Sequence, residues 1–204
     1  MWPTAVPLSQ VDDEARVKLI EKQTVWKNFI HLQTMIFEQQ ARDGRTFRIH
    51  REVHDHGAAA AILLFDLKRE EVVLVRQFRP GAYVNGDPSF MLEIPAGLTD
   101  GDQPDEAIRR ESMEETGYAV SAPRHLFDIY ASPGTLTEKV SLFYARVDLD
   151  EKAGEGGGLQ NEGEDIEVLT VSLDTAYGMI ASGEIVDSKT IIMLQWAMLN
   201  RASL

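Results

Sequence analysis

Two largely apolar runs, residues 58–67 and 72–78, are separated only by the charged tetrapeptide Lys68-Arg69-Glu70-Glu71. Runs of this length read as buried strands. They are far too short to cross a bilayer, which takes roughly 20 apolar residues in a helix. A shorter run covers residues 90–95, and strands are expected again at 126–130, 140–147 and 166–171. Helical patterns occupy 103–116, 173–181 and 190–200. Asp102 is placed to cap the first, Pro104 falls in its first turn, and Gly117 can end it. Asp187 and Ser188 are placed to cap the last. Strands with interspersed helices argue for an α/β or α+β sandwich.

The N-terminal quarter has another pattern. Residues 1–17 carry two prolines and mixed polar residues and read as a loosely held tail. Between 18 and 56, apolar residues such as Val25, Phe29, Ile36 and Phe37 are interspersed with polar ones, Asp43-Gly44 signals a hairpin, and Thr46-Phe47-Arg48-Ile49-His50 alternates. This reads as a small antiparallel β unit, and residues 57–204 as the main domain. The Gly-rich, acidic stretch 154–163 reads as a flexible loop.

The formal net charge of −13 repels nucleic-acid phosphates and anionic membranes. A phosphate-handling enzyme so charged needs divalent ions and a few well-placed Arg or Lys residues. With no cysteine, disulfides and thiol nucleophiles are excluded. No signal peptide is legible, so the expected location is the cytoplasm, with neither nucleic acid nor membrane as partner.

The segment Arg109-Arg110-Glu111-Ser112-Met113-Glu114-Glu115-Thr116-Gly117 carries the chemistry. On a helix Glu111 and Glu115 lie about 40° apart around the axis, and Glu114 about 60° to the other side. Such carboxylates repel one another, and acids near a helix C-terminus oppose its dipole. A hard cation such as Mg²⁺ removes both costs. The competing reading is a solvated acidic face, partly paired by Arg110 to Glu114.

The context favours the metal reading. Gly97, Arg110, Glu111, Glu114, Glu115 and Gly117 resemble the Nudix box, with Glu93-Ile94-Pro95-Ala96-Gly97 before it. The spacing from Gly97 to Arg110 is one residue shorter than usual, Asp102 stands where a Glu is expected, and Ser112 replaces an apolar residue. Arg76-Gln77-Phe78-Arg79, Ser132-Pro133-Gly134 with Thr137-Glu138, and Asp165-Ile166-Glu167-Val168 are similar to the ADP-ribose and nucleotide-sugar branch of the Nudix hydrolase superfamily. Tyr83-Val84-Asn85-Gly86 and Ser182-Gly183-Glu184-Ile185 look most like its GDP-mannose pyrophosphatase subgroup.

That resemblance implies a Nudix α/β/α sandwich with a mixed sheet and an N-terminal antiparallel β segment exchanged in a homodimer. It implies Mg²⁺, with Mn²⁺ as a substitute, on the Ala96 carbonyl, Glu111, Glu115 and Glu164. Glu138 would be the general base. Arg79, Lys189, Gly97, Leu98, Glu115 and Glu138 would line the substrate, and Phe29, His50, Arg51 and Glu52 would complete the partner's nucleotide pocket. The implied reaction is pyrophosphate hydrolysis in a nucleoside diphosphate sugar, GDP-mannose first and ADP-ribose as the alternative.

Blander readings stand beside these. Glu138 and Arg79 suit ordinary surface charges, Phe29 suits a core position, and Glu162, Asp165 or Glu167 could replace Glu164. His54 and His56 would share a strand face, which is thin support for a metal site. A nucleotide-binding regulator with weak catalysis is the alternative from another class, and the intact Arg110-Glu111…Glu114-Glu115 half of the box speaks against it.

Overall fold

The computed structural model describes residues 13–204. Two compact units divide the described chain: residues up to 56 with 132–137, and residues 57–131 with 138–204. Most of the expected tail, residues 1–17, lies outside the described residues. Its described end is ordered: Glu14–Arg16 is a 3₁₀ turn, and Val17 already begins a strand.

The smaller unit is an antiparallel sheet of β1 (Val17–Lys27), β2 (His31–Gln40) and β3 (Thr46–Asp55), in that order. The turn after β2 follows from Asp43-Gly44. Gly44 has φ 88°, and Asp43 Oδ1 accepts from the Arg45 N–H at 3.1 Å. The end of β3 pairs with a second segment: the His54 N–H donates to the Thr135 carbonyl, and the Thr137 N–H to the His54 carbonyl. The Pro-Gly segment after Ser132 is therefore hydrogen-bonded to a strand end.

The larger unit holds a mixed sheet ordered β10-β5-β4-β9-β8. Its strands are β4 (Ala59–Asp66), β5 (Glu71–Phe78), β8 (Arg124–Tyr130), β9 (Lys139–Arg146) and β10 (Glu167–Ser172). Only β4 and β9 run parallel. The short strands β6 (Phe90–Glu93) and β7 (Ala96–Leu98) pair with β5 and β4.

Both faces of β4 are buried, which is why its sequence does not alternate. Ala61, Leu63 and Phe65 pack with α3 (Leu173–Ser182) and α4 (Ser188–Asn200), whereas Ala60, Ile62 and Leu64 pack with Ile108 of α2 (Pro104–Glu111). The result is the expected α/β/α sandwich. A further short helix, α1 (Pro80–Asn85), falls where no helical period was legible. It starts at Pro80, whose ring presets the helical φ.

Two helix ends depart from expectation. The N-cap of α2 is Gln103, not Asp102, and no side chain caps it. After Glu111 the helix widens into a π turn, Ser112–Thr116, closed by Gly117 at φ 78°. Buried Ser112 is satisfied there, since its hydroxyl donates to the Tyr118 carbonyl at 2.9 Å. At the other end of the chain, Asp187 caps α4 as expected, accepting from the Thr190 N–H.

The stretch 154–163 is not a loose loop. The Gly157 and Gly158 N–H groups donate to the Glu115 and Glu114 carbonyls, and those of Ala153 and Gly154 to the Gly117 carbonyl. Glycines on both sides permit this close approach: a Cβ on Gly117 would lie 2.2 Å from the Gly154 carbonyl oxygen, and one on Gly156 2.6 Å from the Thr116 carbonyl carbon.

Gly86 has a similar φ, 82°, with open space around its would-be Cβ. Gly86→Ala should thus report the left-handed backbone alone, a loss of about 1–2 kcal/mol. Gly117→Ala adds the collision and should lose at least ~3 kcal/mol, in the range of an overpacked site plus backbone strain. Urea unfolding of both variants checks this; equal losses would mean that the strap is not closely packed.

Candidate active site

Three acidic side chains converge where the end of α2 meets β7. Glu115 is only 2% exposed. Its Oε2 accepts from the Ala96 N–H at 3.0 Å and its Oε1 from the Gln77 amide at 3.4 Å. Glu111 lies across Gly97, where a Cβ would come within 2.1 Å of its carboxyl carbon. Only glycine leaves that space. Arg110 braces Glu111: it meets that carboxylate at 2.8 Å and Glu114 at 3.2 Å, and donates to the Leu98 carbonyl. Glu164 comes from the Gly-rich strap, where its Oε2 accepts from the Leu159 N–H at 2.9 Å.

Burial pushes the Glu115 carboxyl up to about 8; the charges of Glu111 and Glu164 add to this, while the Ala96 N–H and Arg79 oppose it. Burial also raises Glu111, with Arg110 opposing and Glu114 and Glu164 adding. Among the described residues no three such groups are already gathered closely enough to hold an ion as they stand. The donor set nonetheless fits a hard divalent cation. It is all oxygen, its charges raise one another's proton affinity, and a glycine clears the floor beneath it.

A second, neutral cluster lies beside this acidic one. Glu93, at the end of β6, is 1% exposed. Arg79 grips it with two bonds, Nε to Oε1 at 2.6 Å and Nη2 to Oε2 at 2.8 Å. Lys189 donates to the same Oε2 at 2.5 Å and to Asp187 at 2.9 Å. Burial alone would raise the Glu93 carboxyl, yet the two cations hold it below its ordinary value. Arg79 also feels the charge of Glu115.

The expected site residues thus fall into groups. Ala96, Gly97, Leu98, Arg110, Glu111, Glu114, Glu115, Gly117 and Glu164 come together around the end of α2. At Ala96 it is the N–H, not the carbonyl, that the structure aims at Glu115. Arg79 and Lys189 come together on Glu93. Glu138 precedes β9, whose Val140 pairs with Ala59, which in turn pairs with Leu98. It therefore sits at the end of the sheet where β7 finishes.

The smaller unit carries the rest. His50, Arg51 and Glu52 line a cleft of roughly 720 Å³ on its sheet, with Glu21, Gln23 and Thr34. Phe29 lies outside that cleft's lining, in the bend between β1 and β2, 76% exposed rather than in a core. His54 and His56 do share a face, 3.0 Å apart, but no third ligand joins them among the described residues. Sequence reasoning gave no role to Glu93 or Gln77. The signal for Glu93 was present: a lone acid in the apolar run Phe90-Met91-Leu92-Glu93-Ile94.

Residues 55–191 match the NUDIX domain. A GDP-mannose pyrophosphatase of Cronobacter sakazakii is 42% identical over 180 residues, spanning 88% of this chain and 93% of that one. One from Shigella flexneri is 42% identical over 182 residues, 89% of this chain and 94% of that one. The crystal structure of an ADP compounds hydrolase superposes with a TM-score of 0.69 over 92% of this chain and 96% of the other, at 17% identity. That last likeness concerns the fold. Matched over most of its length in sequence and in architecture, the chain belongs to the Nudix hydrolase family.

Proposed function

We propose that the protein hydrolyses the pyrophosphate bond of a nucleoside diphosphate sugar, GDP-mannose first among them, to a nucleoside monophosphate and a sugar 1-phosphate. The observation that carries this is the buried Glu115 carboxylate, flanked by Glu111 and Glu164 and adjoining the Arg79–Glu93–Lys189 cluster. Relatives named GDP-mannose pyrophosphatase, at 42% identity, support the choice of sugar nucleotide.

Glu111, Glu115, Glu164 and the Ala96 carbonyl would hold Mg²⁺ or Mn²⁺. When bound, such an ion neutralises diphosphate charge and polarises a phosphoryl oxygen. The protein's own groups supply the rest. Arg79 presents the N–H groups not used on Glu93 to the diphosphate, and Lys189 adds a point charge. Glu138 takes a proton from the attacking water as the phosphorus–oxygen bond of the leaving phosphate breaks. His50, Arg51 and Glu52 belong to the nucleotide pocket, with Phe29 offering a stacking face.

The working form is a homodimer. Every residue of β1 is exposed, and Val17, Leu19, Ile20, Val25 and Trp26 are each at least 41% exposed. Burying that apolar strand against a second copy would remove it from water. Cytoplasmic location belongs to the same reading.

A panel of GDP-mannose, other sugar nucleotides and ADP-ribose, read by coupled phosphate release, tests the activity. Turnover with Mg²⁺, loss in excess EDTA and preference for a GDP-sugar are expected; preference for ADP-ribose replaces the substrate, and binding without turnover replaces the enzyme with a regulator. In the same assay Glu138→Gln should lower kcat at least 100-fold and leave KM nearly unchanged, the signature of a group acting only in the transition state. A raised KM with intact kcat would move the base elsewhere, into the acidic cluster around Glu164.

The raised Glu115 carboxyl also sets a pH dependence. In the metal-free fold this group holds its proton up to about pH 8, whereas in the unfolded chain it ionises near 4.5. Between those values the folded state binds more protons, so stability present at low pH is lost as pH rises through 8. Melting in EDTA should fall across that window, and Glu115→Gln should flatten the fall while abolishing turnover. A wild-type melting curve independent of pH from 5 to 8 would remove Glu115 from the buried charge cluster.

A further inference from the structure

We infer that Glu93 is a positioning residue for the reaction: it fixes Arg79 and Lys189 side by side as one receptor for the diphosphate. The inference rests on the reading above that those two cations meet the substrate.

The geometry carries it. Two like charges do not settle within reach of each other without an anion between them. Glu93 Oε2 accepts from both Arg79 Nη2, at 2.8 Å, and Lys189 Nζ, at 2.5 Å. The fork of bonds from Arg79 leaves its planar guanidinium one orientation, with Nη1 not engaged on Glu93. Lys189 is held from its other side by Asp187 Oδ1. Asp187 Oδ2 accepts from the Thr190 N–H at 3.0 Å and from the Thr190 hydroxyl at 2.6 Å. That hydroxyl oxygen in turn accepts from the N–H of Ile94, the residue after Glu93, at 2.8 Å.

The circuit closes on itself: Glu93, Lys189, Asp187, Thr190, Ile94 and back to Glu93 through the backbone. It ties the end of β6 to the N-terminus of α4. Among the described residues the Arg79 side chain is bonded to this circuit through Glu93, and it is 38% exposed whereas that of Glu93 is 2%. So the carboxylate sits behind and the guanidinium stands in front. Two cations and two acids make the cluster neutral, and an arriving diphosphate finds both cations already oriented. Organising them at the moment of binding would otherwise cost affinity, since long cationic side chains lose much rotamer freedom when fixed.

A structural role would also explain a buried ion cluster, so the test must separate the two. Glu93→Gln keeps the shape, removes the charge and turns one bonding atom into a donor facing a cation. Glu93→Asp keeps the charge but is one methylene too short to reach both cations. KM for GDP-mannose should rise at least 10-fold in Glu93→Gln and less in Glu93→Asp, with kcat within about 3-fold of wild type. The affinity for inorganic pyrophosphate, measured calorimetrically with Mg²⁺ present, should fall in step.

In an Arg79→Ala background, Glu93→Gln should raise KM by a clearly smaller factor than in wild type, because only the part of its action that runs through Lys189 is left. Additive effects in this cycle, an unchanged KM, or a fall in kcat alone would overturn the proposal. So would failure of both variants to give folded protein, which assigns Glu93 to stability. If wild type turns over no sugar nucleotide, the substrate reading fails. Pyrophosphate affinity still decides this one: loss in Glu93→Gln upholds it, and no loss overturns it.

Discussion

The fold of the larger unit is organised around one unfavourable act, the burial of a carboxylate at the wrong end of a helix. Glu115 stands in the π turn that continues the C-terminal end of α2, where the dipole disfavours negative charge, and it is almost out of water. Its surroundings answer that cost piece by piece. The N–H of Ala96 and the amide of Gln77 point at its two oxygens. Gly97 removes a side chain so that Glu111 can lie against β7. The Gly-rich strap satisfies the main-chain carbonyls of Glu114, Glu115 and Gly117, which a helix end leaves without partners. None of these suffices to make the site neutral, and Glu115 keeps a raised proton affinity. In the metal-free fold the group therefore keeps its proton up to about pH 8, and it becomes a buried charge below that pH only when a cation compensates it.

Glu93 is buried to the same depth and has the opposite outcome. Two cations reach it, and its carboxyl sits below the ordinary value rather than above it. Arg79 feels the charge of both acids. One acid is therefore fully compensated within the chain and the other is not. The difference sorts them chemically: the compensated carboxylate organises protein cations, and the uncompensated one remains available to a cation from solution.

Much of this was legible in the sequence, and what was missed has physical causes. Residues 58–67 and 72–78 announced themselves because a strand covered on both faces must be apolar throughout. The acidic cluster was legible because four residues on a helix define a face. Asp102 misled as a cap because Asp at that place satisfies the local rule, whereas the chain turns one residue later, at Gln103. The glycines of 154–163 misled because glycine serves both flexibility and close approach. Composition cannot tell these apart; the collision at Gly117 can. Glu93 was passed over because its partners, Arg79 and Lys189, lie 14 and 96 positions away. Only the fold brings them together.

The charge of the chain gives these two clusters a common logic. With a net −13, the protein repels the dianionic group it is proposed to cleave. Long-range attraction cannot then deliver substrate, so recognition has to come from short-range contacts that are already in place. Cations cross-braced on a buried acid provide such contacts, because side-chain motion does not dilute them as it would in loose surface chains. Had Arg79 and Lys189 been loose on an acidic surface, nearby carboxylates would compete for them. Tying both to one buried acid settles that competition in advance and leaves the outer edge of the guanidinium for phosphate.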